Sequence, residues 1–126
     1  MTEQRSAPVY LNLFRIRFPV GAVTSIAHRI SGVLLFLSFP FLVYLLDLSL
    51  RGPDGFAAAV DWLANGFVRL GSVLIAWSLC HHLFSGIRFL LIDIEQGVTR
   101  PRARASAWLV NIAGLVCALL YLWWVL

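Results

Sequence analysis

Two short clusters hold most of the side chains in this apolar chain that could do chemistry. The first is Ser25, His28, Arg29 and Ser31, with Thr24 beside it; the second is His81, His82, Ser85 and Arg88, with Ser72 and Ser78 upstream. Ionisable and polar groups inside membrane-spanning segments are costly and usually mark sites. On a helix, Ser25 and Arg29 are four apart and share a face that Gly32 and Phe36 continue, with His28 next to it. A hydroxyl one turn from a guanidinium makes a pocket for a carbonyl that becomes an oxyanion, and a quinone head group is such an object. The plainer account has Arg29 reaching the headgroups, Ser25 bonded to a backbone carbonyl and His28 simply packed.

In the second cluster His82 and Gly86 are four apart, with Ser85 and Phe89 alongside. An imidazole near mid-membrane with a glycine one turn on suits a b-type haem: the ring supplies an axial nitrogen and the missing side chain admits the macrocycle. Counting back from Asp93 to His82 gives about 16 Å of helix, which is mid-bilayer. His81 points about 100° away and is the alternative ligand. The competing account makes both histidines hydrogen-bonding partners of neighbouring helices, and spacing leaves the two accounts open. His28 is too near the surface to be a second mid-depth ligand and the third span has no histidine, so the other ligand of a six-coordinate haem must come from another polypeptide.

The elements that hold these clusters follow from composition. The chain has 126 residues, 60% hydrophobic and 13% charged, with a mean hydropathy of +0.85. A soluble domain carries about 25% charged residues, and so small a domain has no core able to hide this much apolar surface. Lipid is therefore its solvent, and the expected fold is all-α: an integral membrane protein of three transmembrane helices plus a short interfacial helix. It is read as one membrane-anchor domain over residues 1–126, with a lead-in at 1–19 and spans at about 20–50, 70–92 and 105–126. Pro19 suits a first helical turn, Pro40 should kink the first span, and Arg51-Gly-Pro-Asp-Gly55 ends it. Between Phe56 and Val68 the apolar residues recur near helical spacing, which predicts the interfacial helix. Trp123 and Trp124 suit an aromatic belt.

All ten basic residues are arginines. Three (Arg5, Arg15, Arg17) lie in the lead-in and three (Arg100, Arg102, Arg104) in the second connector, whereas Arg51 and Arg69 in the first connector face Asp54 and Asp61. The excess of arginine predicts a cytoplasmic N-terminus and second connector, and a periplasmic C-terminus. No basic stripe is interleaved with aromatics, which excludes nucleic-acid binding. The lead-in is polar and no small-residue cleavage site follows it, so the first span is expected to stay as an anchor. Cys80 and Cys117 lie within apolar runs and read as small buried hydrophobes. The Cys80-His81-His82 run lacks the second cysteine of a covalent haem motif.

Arg17-Phe-Pro-Val20 leading into Ser25-Ile-Ala-His-Arg-Ile-Ser-Gly32, followed by His82-Leu-Phe-Ser-Gly-Ile-Arg88 and Asp93, closely resembles the cytochrome b anchor subunit of succinate dehydrogenase. The likeness covers nearly the whole chain in length, span count and motif placement. It implies that His82 is the axial ligand of the haem iron, that Ser25 and Arg29 line the ubiquinone site, and that His28 and Arg29 lie near the haem propionates. It implies haem b shared with a second small membrane-anchor subunit that supplies the other ligand, an iron–sulfur subunit and a flavoprotein subunit as further partners, and a bacterial inner membrane. The chain is then non-catalytic alone and contributes no catalytic residue; electrons from succinate oxidation pass to quinone within the assembled oxidoreductase. One departure is Phe89, where many members have a histidine assigned to the propionate neighbourhood; its absence leaves that pairing to Arg29, His28 or Arg88. Asp93 reads as an N–H acceptor in the connector in preference to a proton-delivery group.

Two rivals remain from the sequence. A haem-free scaffolding anchor, as in some fumarate reductases, is opposed by His82. A small proton-coupled transporter needs a titratable carboxylate within a span, and the first span offers only Asp47 at its far end while the third offers none.

Overall fold

The computed structural model describes residues 17–126; the expectations for the rest of the lead-in, including Arg5 and Arg15, fall outside the described residues. Four helices follow one another: α1 (Val20–Ser49), α2 (Pro53–Ala64), α3 (Gly66–Asp93) and α4 (Arg100–Val125), with no strand among the described residues. Three of them, α1, α3 and α4, are long and apolar enough to cross a membrane. The molecule is a multi-pass membrane protein, all-α as its composition demands.

Local chemistry sets where each helix begins and ends. Pro19 is the extended residue that precedes α1, and the helix continues through Pro40. The turn after α1 needs Gly52, whose φ of 96° falls where only glycine is at ease, and Pro53 opens α2 with its preset φ. A side chain at Gly55 would overlap the carbonyl oxygen of Leu48, so glycine lets the first turn of α2 fold back on the end of α1. The short helix starts earlier than the apolar periodicity over 56–68 predicts because Pro53 opens it, and stops earlier because Asn65 interrupts it. The Asn65 side chain accepts hydrogen bonds from the Phe67 N–H at 2.9 Å and the Val68 N–H at 3.4 Å, which caps α3. For that reason α3 starts at Gly66, ahead of the apolar run from about 70. Likewise α4 starts at Arg100, with Pro101 in its first turn, ahead of the apolar run from 105. Helices begin where a cap allows it; membrane spans begin where charge ends.

The interior is polar and the exterior apolar. The largest fully buried side chains are His81, Thr24, Ser31, Ser78 and Ser85, whereas Phe36, Leu37, Phe39, Trp123 and Trp124 are exposed. Ser78, His81, Ser85 and Arg88 form one stripe of α3 at helical spacing. It meets a stripe of α4 made of Ala107, Val110, Gly114 and Ala118. Small residues let two helix backbones approach, and hydrogen bonds hold them where lipid supplies no hydrophobic drive. At Gly114 the two helices come close, since a Cβ there would stand 3.1 Å from His81 Cβ. α3 also packs against α1, so it is the central helix of the three.

Candidate functional site

The two adjacent histidines of α3 face different helices. His81 is 1% exposed, and both of its ring nitrogens are engaged within the chain. Its Nε2 lies 3.0 Å from Asn111 Oδ1 on α4, and its Nδ1 lies 3.3 Å from Ser85 Oγ. An amide oxygen only accepts, so Nε2–H donates and Nδ1 accepts from the serine hydroxyl. Asn111 Oδ1 also lies 3.2 Å from Thr24 Oγ1 on α1, whose proton is shared with the Val20 carbonyl at 3.0 Å. Trp77 covers the His81 ring at a centroid distance of 5.2 Å.

His82 is half-buried and turned to α1. Its Nδ1 lies 3.1 Å from the His28 carbonyl oxygen and 3.2 Å from Ser31 Oγ. The Ser31 hydroxyl itself donates to the same carbonyl at 2.8 Å. A carbonyl cannot donate, so the proton sits on His82 Nδ1 and the lone pair on Nε2. Among the described residues nothing bonds that Nε2. A ligating imidazole usually has this arrangement, with one N–H fixed on a backbone carbonyl and the other nitrogen open to the metal. The donor chemistry at His82 fits an axial ligand, and that at His81 does not, since no lone pair is left there. Room for the His82 ring comes from Gly32, where a Cβ would stand 3.0 Å from His82 Cε1.

His28 stacks on His82 with ring centroids 4.0 Å apart and planes 11° from parallel. It meets Phe89 edge-on at 5.3 Å. Its Nε2 lies 3.8 Å from where a Gly86 Cβ would be, so the space beside Gly86, expected to admit a macrocycle, is taken up by His28.

Ser25 is half-buried and Arg29 exposed, and among the described residues neither side chain makes a hydrogen bond or ion pair. Most other helical serines, Ser31, Ser38, Ser49, Ser72, Ser78 and Ser106, donate to a carbonyl of their own helix. Ser25 departs from that habit and keeps its hydroxyl available. Arg88 is buried and committed: Nε donates to Ser106 Oγ at 3.0 Å and Nη2 to the Ala103 carbonyl at 3.0 Å, which ties α3 to the start of α4. Asp93 is exposed at the last position of α3.

Sequence reasoning missed Asn111, the residue that joins all three long helices. The signal was available, since an amide in the middle of an apolar span is subject to the same cost as a buried histidine. Two clefts open near the arginine-rich end. One of about 550 Å³ between α3 and α4 is lined by Arg88, Gln96 and Arg102 among apolar residues; the other, of about 1070 Å³, is lined by Arg17, Arg88, Arg100 and Arg104 with Trp108. Neither has Ser25, Arg29 or His82 in its wall.

The profile of a family described as succinate dehydrogenase/fumarate reductase transmembrane subunit matches residues 1–121. The chain is 34% identical over 119 residues to the succinate dehydrogenase cytochrome b556 subunit of Coxiella burnetii, covering 94% of this chain and 95% of that one. It is 30% identical over 118 residues to the subunit of that name from Paracoccus denitrificans, covering 91% and 88% of the two chains. A third relative of the same name, from Rickettsia prowazekii, is 30% identical over 121 residues, covering 96% and 92%.

Proposed function

The chain belongs to the succinate dehydrogenase/fumarate reductase transmembrane subunit family, and from that membership we propose that it is a haem b-binding anchor that helps form a ubiquinone-reduction site. The observation that carries the proposal is the 3.1 Å contact of His82 Nδ1 with the His28 carbonyl oxygen, which calls for a proton on Nδ1 and leaves the Nε2 lone pair open.

Three parts of the chain act in this reading. His82 would hold the haem iron through Nε2, while the His28 carbonyl and Ser31 hold the tautomer and the ring. Haem b, when bound, supplies a one-electron store near the quinone. Ser25 donates its hydroxyl proton to one quinone oxygen. Arg29 stabilises the negative charge that builds on that oxygen during reduction, an interaction strengthened by the low dielectric. Arg29 and His28 remain the candidates to face the haem propionates, because Arg88 is already committed to Ser106 and Ala103. A second small anchor subunit would supply the other iron ligand, and iron–sulfur and flavoprotein subunits would deliver electrons from succinate. The arginine distribution supports an inner-membrane orientation with the lead-in and second connector in the cytoplasm.

A haem-free scaffold draws support from one observation, the His28 ring lying beside Gly86 and stacked on His82. A reduced-minus-oxidised difference spectrum of membranes decides between the two. The expected result is a b-type band in the wild type, lost in His82→Ala and kept in His81→Gln, which preserves a donor towards Asn111. A wild-type complex without the band, or a band that survives His82→Ala, overturns the haem reading.

A further inference from the structure

We propose that the Thr24–Asn111–His81–Ser85 cluster fixes the rotation of α3 about its axis, and that His81 and Asn111 thereby act as positioning residues for His82. The proposal rests on the haem reading above.

The argument starts from geometry. His81 and His82 are consecutive, about 100° apart around α3, so fixing one direction fixes the other. His81 Nε2 is held by Asn111 from α4, and the same amide oxygen is reached by Thr24 from α1. Hydrogen bonds from α1 and α3 thus converge on one amide oxygen of α4, and that oxygen holds the imidazole. Thr24, Ser85 and His81 are at most 1% exposed, while Asn111 itself is half-buried. Below the ring Gly114 leaves no slack, with its would-be Cβ 3.3 Å from His81 Cδ2. On the far side Trp77 closes the ring in.

The tolerance is small. A side-chain tip about 5–6 Å from a helix axis moves about 1 Å for each 10° of rotation. A ligand or binding constellation works within about 0.5 Å of its productive geometry. Apolar packing alone leaves α3 weakly specified, since its outward residues Leu79, Leu83, Ile87 and Leu90 meet lipid as readily in one rotation as in another. Directional hydrogen bonds remove that freedom, those of His81 near the middle of α3 beside those of Arg88 to Ser106 and Ala103 near its end. None of the cluster's hydrogen bonds involves Ser25 or Arg29, and the His81 and Asn111 side chains lie on other helices than those two residues.

The test uses the purified complex with all its subunits, reduced and exposed to carbon monoxide, together with the low-spin ferric electron paramagnetic resonance signal. A six-coordinate haem with a well-aimed imidazole resists carbon monoxide. Asn111→Leu is expected to raise the carbon monoxide-reactive fraction several-fold and to shift the ferric signal, with His81→Leu behaving alike. His81→Gln is expected to restore both readouts to the wild-type values. Thr24→Val, which exchanges a hydroxyl for a methyl, and Gly114→Ala, which adds one methyl against His81, are expected to shift the same signal in smaller measure. They decide the matter if Asn111→Leu does not assemble. Wild-type carbon monoxide reactivity and an unshifted signal in the assembled apolar variants overturn the positioning role while leaving the haem reading intact. A wild-type complex lacking the b-type band overturns the haem reading first, and this proposal with it.

Discussion

His81 and His82 carry identical side chains at consecutive positions, yet their partners force opposite tautomers. An amide oxygen takes the proton of His81 Nε2, and a backbone carbonyl takes that of His82 Nδ1. What a histidine can do is settled by which nitrogen is already occupied. The same logic separates Ser25 from the six serines that bond their own helix. Arg29→Leu is expected to cut quinone reduction by about 10²–10³-fold, the scale for removing one charge-stabilising group, while succinate oxidation by an artificial acceptor persists. Loss of both activities would mean that Arg29 is structural. At Gly32, alanine places a methyl 3.0 Å from His82 Cε1, so Gly32→Ala is expected to lower haem content per complex, read by a pyridine haemochrome assay. Unchanged content would show that the His82 ring has room to yield.

Helix ends show how local rules place the site's elements. α3 stops in a Schellman arrangement, with the Gln96 N–H on the Leu91 carbonyl at 2.8 Å and the Glu95 N–H on the Ile92 carbonyl at 2.9 Å. The left-handed residue of that motif is Glu95, with φ 62°, where glycine is usual. A left-handed L-residue costs about 1–2 kcal/mol, partly offset by glycine's greater freedom in the unfolded chain. Glu95→Gly is therefore expected to stabilise the chain by about 0.5–1 kcal/mol, seen as a higher midpoint for thermal unfolding in detergent. Asn65→Ala removes the cap of α3 and is expected to cost about 1 kcal/mol in the same measurement. A lower midpoint for the first variant, or an unchanged one for the second, would count against these assignments.

At the scale of the molecule, polarity is inverted relative to a soluble domain: hydroxyls, an amide and imidazoles bind the helices together, while aromatic and aliphatic side chains face outwards. Much of α1 is exposed, including the Arg29 and Phe36 side chains, which leaves surface for neighbouring subunits. Of the chain's three histidines, His81 has both ring nitrogens engaged, and the proposed haem reading takes one iron ligand, His82, from this chain. Expression without the second anchor subunit is expected to leave membranes with no stable six-coordinate b-type signal, checked by spectroscopy of those membranes. A full signal from this chain alone would require both ligands to come from it.

Much of this was legible in the residues themselves. Three long apolar runs, with charge only towards the ends of the first two, specify three helical spans, because only helices and closed barrels satisfy the backbone in lipid and these runs have a helix's length. The Ser-Ile-Ala-His-Arg and His-Leu-Phe-Ser-Gly-Ile-Arg motifs point to the family without any coordinates. Helical spacing also put Ser25 with Arg29 on one face. Spacing did not reveal which of two adjacent histidines keeps a free nitrogen, that Arg88 is tied to α4, or that Asn111 joins the three long helices. Apart from the Ser85–His81 contact one turn along α3, those are contacts between residues 15 to 87 positions apart, and periodicity within one helix carries no information about what another helix presents to it.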